Sequence, residues 1–331
     1  MTHVLITIDT EFSAGGCFDH PRRSGPITDQ AVFCRINGRS RGLGFLLATF
    51  ARFHIKATFF VEAAHTLMLG FEPMRPAVEA ILQAGHDVQL HIHPMWLDPP
   101  AGTDPRVARN DSVADLDDAS CAHVIDAGLV AFAAWGAPRP IAFRAGNLQM
   151  GRGTYRVLRE REIPISSSIG VAIDRPRESE LWIESGNKVI DGIIEIPVLA
   201  YSDLDLGGRR HMRNLTVTGC GSGETLELLR AAQASGLADI VLLTHPFEFI
   251  KKWDDGYARI RRNRINQRRL IALCEALAHS SDLFSTATFA ERACEWLRDR
   301  VPSKEIHLRV PLLAAATRIV ENKVNDYIWW V

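Results

Sequence analysis

The stretch Gly85-His86-Asp87-Val88-Gln89-Leu90-His91-Ile92-His93-Pro94 is typical of an apolar β-strand that ends in two histidines. Side chains at positions i and i+2 of a strand lie on one face, so His91 and His93 can bind one metal ion together. The alternative is a pair of surface or hydrogen-bonded core histidines, which is what an isolated His-x-His more often is.

A second apolar run, residues 4–8, leads directly into two carboxylates, Asp9 and Glu11, with the same i, i+2 spacing. Two histidines and one carboxylate are the ligand set of a catalytic zinc that keeps one position open for water. The two segments together therefore favour a metal site over a chance pair of histidines.

The composition is that of an ordinary globular enzyme. The chain has 331 residues, of which 47% are apolar, and a formal net charge of -1. This near balance excludes a generally basic nucleic-acid-binding protein. The six scattered cysteines form no Cys-x-x-Cys pair, and the first apolar run is too short for a signal peptide, so we expect reduced thiols and a cytoplasmic protein.

One local basic run stands out against this balance. It consists of Arg259, Arg261, Arg262, Arg264, Arg268 and Arg269. The simpler interpretation is the solvated face of a helix. The functional alternative is a site for an anionic substrate such as a sugar phosphate or a nucleotide.

Short β-rich runs alternate with helical patterns along most of the chain, which predicts repeated βα units and a parallel sheet. The predicted strands are 4–8, 57–61, 87–92, 140–143, 163–167, 193–197 and 240–244. The predicted helices are 42–53, 74–84, 114–135, 153–161, 223–235, 263–278 and 289–298. Seven strands favour an α/β fold, a distorted (β/α) barrel, whose active site lies at the C-terminal rim of the strands.

Two further predictions concern segments outside these elements. Residues 12–30 and 95–113 are expected to be long loops that cover the site, or else plain exposed connections. We divide the chain into a barrel, 1–300, and a C-terminal amphipathic extension, 301–331. The apolar stripe within 307–331 could contact the barrel, a second subunit or a membrane surface.

In order along the chain, these motifs resemble the polysaccharide deacetylase family, also called the NodB-homology domain or carbohydrate esterase family four. The similarity runs from about Leu5 to Arg292. Its landmarks are Thr7-Ile8-Asp9-Thr10-Glu11, Lys56-Ala57-Thr58-Phe59-Phe60-Val61, Gly85-His86-Asp87, Leu90-His91-Ile92-His93-Pro94, Phe143-Arg144-Ala145-Gly146-Asn147 and Leu242-Leu243-Thr244-His245-Pro246.

This chain departs from the best-known members of the family at two motifs. They carry adjacent aspartates and a His-x-x-x-His pair, whereas this chain has Asp-x-Glu and His-x-His-Pro. Met95 stands where the family's second histidine would be, and a thioether is a poor zinc ligand. The sequence is therefore similar to a divergent branch, in which Asp9 and Glu11 could also exchange the roles of base and ligand.

The resemblance implies a metal-dependent deacetylase, a hydrolase of carbon–nitrogen bonds other than peptide bonds. Glu11, His91 and His93 would hold a divalent metal, most simply Zn, with Co, Ni, Mn or Fe as alternatives. The resemblance implies that Asp9 is the base, that His245 is the acid and that Arg144 orients Asp9. Trp96 and Asn147 follow motif residues and are candidates for sugar binding, although Trp96 could equally be a core aromatic.

The expected substrate is an acetylated amino sugar or a glycoconjugate precursor. Two alternatives stay open at this point: the same fold hydrolysing a non-sugar amide, and a non-catalytic barrel used for binding. The first keeps the metal and changes the substrate. The second would leave the chain without turnover.

Overall fold

The computed structural model describes residues 1–18, 24–98 and 109–328. The strands are β1 Thr2–Thr10, β2 Arg35–Ile36, β3 Arg39–Ser40, β4 Thr58–Glu62, β5 Asp87–Ile92, β6 Ala142–Ala145, β7 Ile165–Ser166, β8 Lys188–Ile190, β9 Ile193–Glu195, β10 Ala200–Leu206, β11 Arg209–Asn214, β12 Asp239–Thr244, β13 Ile250–Lys252, β14 Ile260–Arg262, β15 Phe284–Thr286 and β16 Leu308–Arg309.

The α-helices lie between these strands and after them. They are α1 Asp29–Phe33, α2 Leu43–Arg52, α3 Thr66–Leu69, α4 Arg75–Gln83, α5 Asp118–Trp135, α6 Arg152–Glu160, α7 Ser222–Ala234, α8 Arg264–His279, α9 Phe289–Asp299 and α10 Leu312–Tyr327. All seven predicted strands and all seven predicted helices are present, with bounds that differ by a few residues.

The main sheet closes on itself. Its strands follow the order β12-β1-β4-β5-β6-β7-β9, all paired in parallel, with β8 antiparallel to β9 and β15 beside β1. A bridge between Val198 and Val241 joins the chain after β9 back to β12. The predicted (β/α) barrel is thus confirmed, and the irregular closure is what distorts it.

Burial explains why these runs become strands. Residues 4–10 of β1 and the whole of β4 are buried, as expected for parallel strands covered by helices. The main core lies between the sheet and helices such as α2, α4 and α5. Parallel pairing brings the C-terminal ends of all these strands to one rim of the barrel.

A second, smaller sheet was not predicted. It consists of the antiparallel hairpin β10–β11 and of β16, which pairs in parallel with β10. Helix α10 contacts α7 and β10. Residues after 300 therefore contribute a strand and a helix that pack on the rest of the chain, while the division at residue 300 stays a prediction.

Several large apolar side chains of α10 are exposed, namely Leu312, Leu313, Ile319, Val320 and Tyr327. Within the described ranges, no helix has both the length and the apolar character needed to span a membrane. The proposed covering role of loops 12–30 and 95–113 falls partly on residues 19–23 and 99–108, which lie outside the described residues. The aromatic tip of the extension, 329–331, does so as well.

Candidate active site

Polar residues at the C-terminal ends of four strands meet at one rim of the barrel. In the parallel ladder, Ile8 of β1 is opposite Thr244 of β12, so the residues that follow, Asp9 and His245, emerge side by side. His91 of β5 is opposite Arg144 of β6. The strand register therefore gathers residues that are far apart in sequence.

Glu11, His91 and His93 form one compact cluster of potential ligands, and their donor atoms all lie within 4.8 Å of one another. The Glu11 Oε2 atom is 3.1 Å from His91 Nε2 and 2.8 Å from His93 Nε2. Ligand atoms of a tetrahedral zinc lie about 3.3 Å apart, given metal–ligand bonds of about 2.0–2.1 Å. The three side chains thus converge as a metal site requires.

The hydrogen bonding of His91 indicates that the cluster fits a cation. His91 Nδ1 is 2.9 Å from the Arg144 carbonyl oxygen, which can only accept, so Nδ1 carries the proton. Because Nδ1 is occupied, Nε2, which faces the Glu11 carboxylate, is the ring nitrogen available to a metal ion. A cation bound there would contact both this nitrogen and the carboxylate.

The charged groups around His93 also indicate that the cluster fits a cation. Burial disfavours a charged ring, but the carboxylates of Glu11 and Asp111 outweigh it and raise the pKa of His93 well above its usual value. Burial would likewise raise the pKa of Glu11, yet His93 and His91 hold this pKa well below its usual value. The pocket therefore favours a carboxylate together with positive charge.

Asp111 fixes the orientation of the His93 ring. Its Oδ2 atom is 2.9 Å from His93 Nδ1 and accepts a 2.8 Å hydrogen bond from Asn147 Nδ2. Gly146 allows the ring to lie against the backbone, because a Cβ there would come within 2.6 Å of His93 Nδ1. A carboxylate behind a metal-ligating histidine selects the tautomer whose Nε2 is free to bind metal.

Asp9 is held in a separate, buried ion pair. Arg144 Nη1 donates to Asp9 Oδ1 over 3.0 Å, and Arg144 Nη2 donates to Thr7 Oγ1 and to Ser167 Oγ. The guanidinium also lies over the Phe60 ring, with its Cζ 4.3 Å from the ring centroid. Asp9 is thus positioned by one oxygen, which leaves Oδ2 available to accept a proton.

His245 is paired with Glu248, three residues further along the chain. His245 Nδ1 is 3.0 Å from Glu248 Oε1, while Glu248 Oε2 accepts from the hydroxyls of Thr218 and Thr244. Burial acts against charge on His245, but Glu248, together with Glu11 and Asp9, raises the pKa of His245 to about 9. A histidine with this pKa is protonated at neutral pH and can act as an acid.

The remaining two candidates differ in exposure. Trp96 is 1% exposed and packs edge-on against Phe18 and His65, so of the two alternatives its burial favours a core role. Asn147 is exposed but donates to Asp111, which ties it to the His93 ring. A direct contact of either residue with a sugar stays a prediction.

Sequence reasoning missed Asp111 and Glu248. The 3₁₀ turn at Pro246–Phe249 brings the Glu248 side chain back to the backbone N–H of His245, a capping pattern that a Glu three residues after the histidine could have indicated. Asp111 lies outside every helix and strand, and no sequence pattern predicts that it contacts His93.

The sequence matches no family model, and it matches no curated protein. Among solved structures, a protein from Mycobacterium smegmatis assigned to the polysaccharide deacetylases is similar, with 19% identity, 94% of this chain and 95% of that chain covered, and a TM-score of 0.51.

Two other solved structures are more distant. A family 4 carbohydrate esterase from Streptomyces lividans has 12% identity, with 86% and 92% of the two chains covered and a TM-score of 0.43. A peptidoglycan deacetylase from Bacillus subtilis has 9% identity, with 90% and 96% covered and a TM-score of 0.42. The comparison with the mycobacterial structure shows that this chain has the same barrel fold as that protein.

Proposed function

We propose that this protein is a metal-dependent hydrolase that removes an N-acetyl group from an amino sugar or a glycoconjugate precursor in the cytoplasm. The observation that carries the proposal is the convergence of Glu11, His91 and His93 at the barrel rim. The mycobacterial protein with the same fold is assigned to the polysaccharide deacetylases, which supports an acetylated sugar as the substrate.

A divalent metal held by these three residues would polarise the acyl oxygen and make an attacking water more acidic. Asp9 accepts the proton of this water, and Arg144 keeps the carboxylate oriented for that transfer. His245 donates its Nε2 proton to the departing amine, since Glu248 occupies Nδ1. Protonation matters because an unprotonated amine is a poor leaving group.

The geometry favours one assignment of the two N-terminal carboxylates. Glu11 reaches both imidazoles, whereas Asp9 contacts a guanidinium on a neighbouring strand. This supports Glu11 as the ligand and Asp9 as the base. It does not require the exchange of roles that the Asp-x-Glu spacing left open.

The test is the metal content of the purified protein, followed by acetate release from N-acetylated sugars. We expect about one metal per chain in the wild type and its loss in His91→Ala, with the fold retained in circular dichroism. His123→Ala, on the exposed side of α5, is the matched control and should keep the metal. A wild type that stays empty after reconstitution with divalent metals would overturn the proposal.

A further inference from the structure

An open cleft beside the active-site rim is lined largely by arginines. Its volume is about 510 Å³, and none of its lining residues is acidic. The arginines are Arg39, Arg41, Arg261, Arg262 and Arg264. Three of them belong to the basic run that sequence analysis treated most simply as a solvated helix face, but they line a concave surface.

Two short hairpins build the cleft. The β2–β3 hairpin turns at Asn37 and Gly38, whose φ values of 51° and 75° fit a tight two-residue turn, and it sets Arg39 opposite Ile36. The β13–β14 hairpin sets Arg262 opposite Ile250. Helix α8 then begins at Arg264. Backbone pairing therefore fixes the position of these charges.

Four of the five arginines that line the cleft are not paired with a carboxylate of the described residues. Within the described part of the chain, Arg39, Arg41, Arg262 and Arg264 form no ion pair, whereas neighbouring Arg35 pairs with Asp29. Burial, Arg262 and Arg39 together lower the pKa of Arg41, and its buried Nε atom has no hydrogen-bond partner among the described residues. Such mutual repulsion would be relieved by a bound anion.

The cleft adjoins the His245 turn. Gly42, next to Arg41, packs so closely that a Cβ there would lie 3.1 Å from the carbonyl oxygen of Pro246, the residue after His245. Strand β13 begins at Ile250, directly after the Pro246–Phe249 turn that follows His245, and Ile250 pairs with Arg262 of β14. The hairpin that carries Arg262 thus borders the turn after His245.

We propose that this cleft binds the phosphate or diphosphate group of the substrate, which would make the substrate an acetylated amino sugar in phosphate-ester linkage. This identification of the substrate rests on the proposed function; the anion site itself does not. Guanidinium groups match phosphate oxygens with paired hydrogen bonds. A single sugar carboxylate would leave most of the positive charge uncompensated, and the overall net charge of -1 argues against nucleic acid.

The first experiment measures binding of inorganic pyrophosphate by calorimetry to the metal-loaded protein and to the double variant Arg41→Gln/Arg262→Gln. We expect the variant to bind about 10 to 100-fold more weakly, as for loss of charge-assisted hydrogen bonds. The matched control is Arg230→Gln/Arg298→Gln, which removes two exposed charges elsewhere. Binding must persist in His91→Ala, so that pyrophosphate at the metal site is excluded. Equal affinity of the double variant and the control would overturn the proposal.

The second experiment separates this proposal from the proposed function. It compares kcat/KM for N-acetylglucosamine 1-phosphate with kcat/KM for N-acetylglucosamine. In the double variant, the value for the phosphorylated sugar should fall at least about tenfold, while the value for the unphosphorylated sugar should not change. Pyrophosphate binding without hydrolysis of either sugar would remove the deacetylase function and keep the anion site. A ratio that does not change would remove the cleft from substrate binding.

The source of the phosphate is read from two larger probes. Uridine diphosphate N-acetylglucosamine presents a soluble diphosphate, and vesicles containing an N-acetylglucosaminyl diphosphate lipid present a membrane-bound one. Tighter binding of one of these probes by the wild type, which the double variant loses, would support the site and identify the molecule that carries the phosphate. If the wild type and the double variant bound both probes equally well, the result would count against it.

Discussion

Asp111 Oδ2 lies 2.9 Å from His93 Nδ1, on the side of the ring opposite to Glu11. The imidazole is therefore clamped between two carboxylates, one of which is a proposed metal ligand. A ring held at Nδ1 presents Nε2 in a fixed direction. Asp111 is thus a positioning group for the second histidine of the His-x-His motif.

Asp111→Asn should weaken metal binding by about 10 to 100-fold, because the neutral amide no longer holds the Nδ1 proton as strongly. The measurement is a competition with a chelator followed by metal analysis. Asp282→Asn is the control, since this exposed residue precedes β15 at the opposite end of the barrel. Unchanged metal affinity in Asp111→Asn would show that the carboxylate does not support the ligand.

Asp9→Asn should lower kcat by about 10² to 10⁴-fold while the protein keeps its metal, because the amide can still accept from Arg144 but cannot take up a proton. Turnover, metal content and thermal unfolding are measured together. Ser167→Ala is the matched control, since it removes a hydrogen bond to Arg144 and leaves the Asp9 carboxylate intact. Loss of metal in Asp9→Asn would instead make Asp9 a ligand.

The pairing of His245 with Glu248 predicts the alkaline side of the pH profile. The acid must be protonated, so activity should fall as the pH rises through the His245 pKa, which is about 9. Glu248→Gln removes the nearest negative charge, and burial then lowers this pKa. The alkaline limb of kcat should move down by about 1 to 3 pH units.

The control for this profile is Thr218→Val, which removes one hydrogen bond to Glu248 but leaves its charge. We expect its alkaline limb to lie near that of the wild type. If Glu248→Gln lowered kcat equally at every pH, Glu248 would orient the ring without setting its charge.

The barrel was predictable because each parallel strand is a short apolar run whose last residues become polar. The strand predicted over residues 87–92 shows this directly, because these bounds coincide with those of β5. The same reasoning placed Asp9 and His245 at one rim, where the ladder sets them side by side. Local sequence therefore contained the strands, and parallel pairing supplied the convergence.

The features that could not be predicted depend on contacts between distant irregular segments. Asp111 contacts His93 from a segment whose sequence has no periodicity. Arg41 and Arg262 line one cleft because the segments that carry them fold next to each other. Glu195 is a similar case, because its buried carboxylate accepts from Tyr155 and from backbone N–H groups after β7. No spacing in the sequence indicates these pairs.

One of the buried cations that attach the C-terminal helix is Arg318, and it gives a stability prediction. Arg318 of α10 pairs with Asp203 of β10 and, over 3.0 Å, with Glu224 of α7, and all three side chains are at most 7% exposed. Arg318→Met leaves the buried Glu224 carboxylate without its cation and Asp203 with His211 as its ion-pair partner. The free energy of unfolding should therefore fall by about 3–5 kcal/mol. Urea denaturation measures this change. Arg298→Met, which breaks only the exposed pair with Asp299, should leave the free energy of unfolding nearly unchanged. Equal losses in the two variants would mean that α10 is held by its apolar contacts and not by this ion pair.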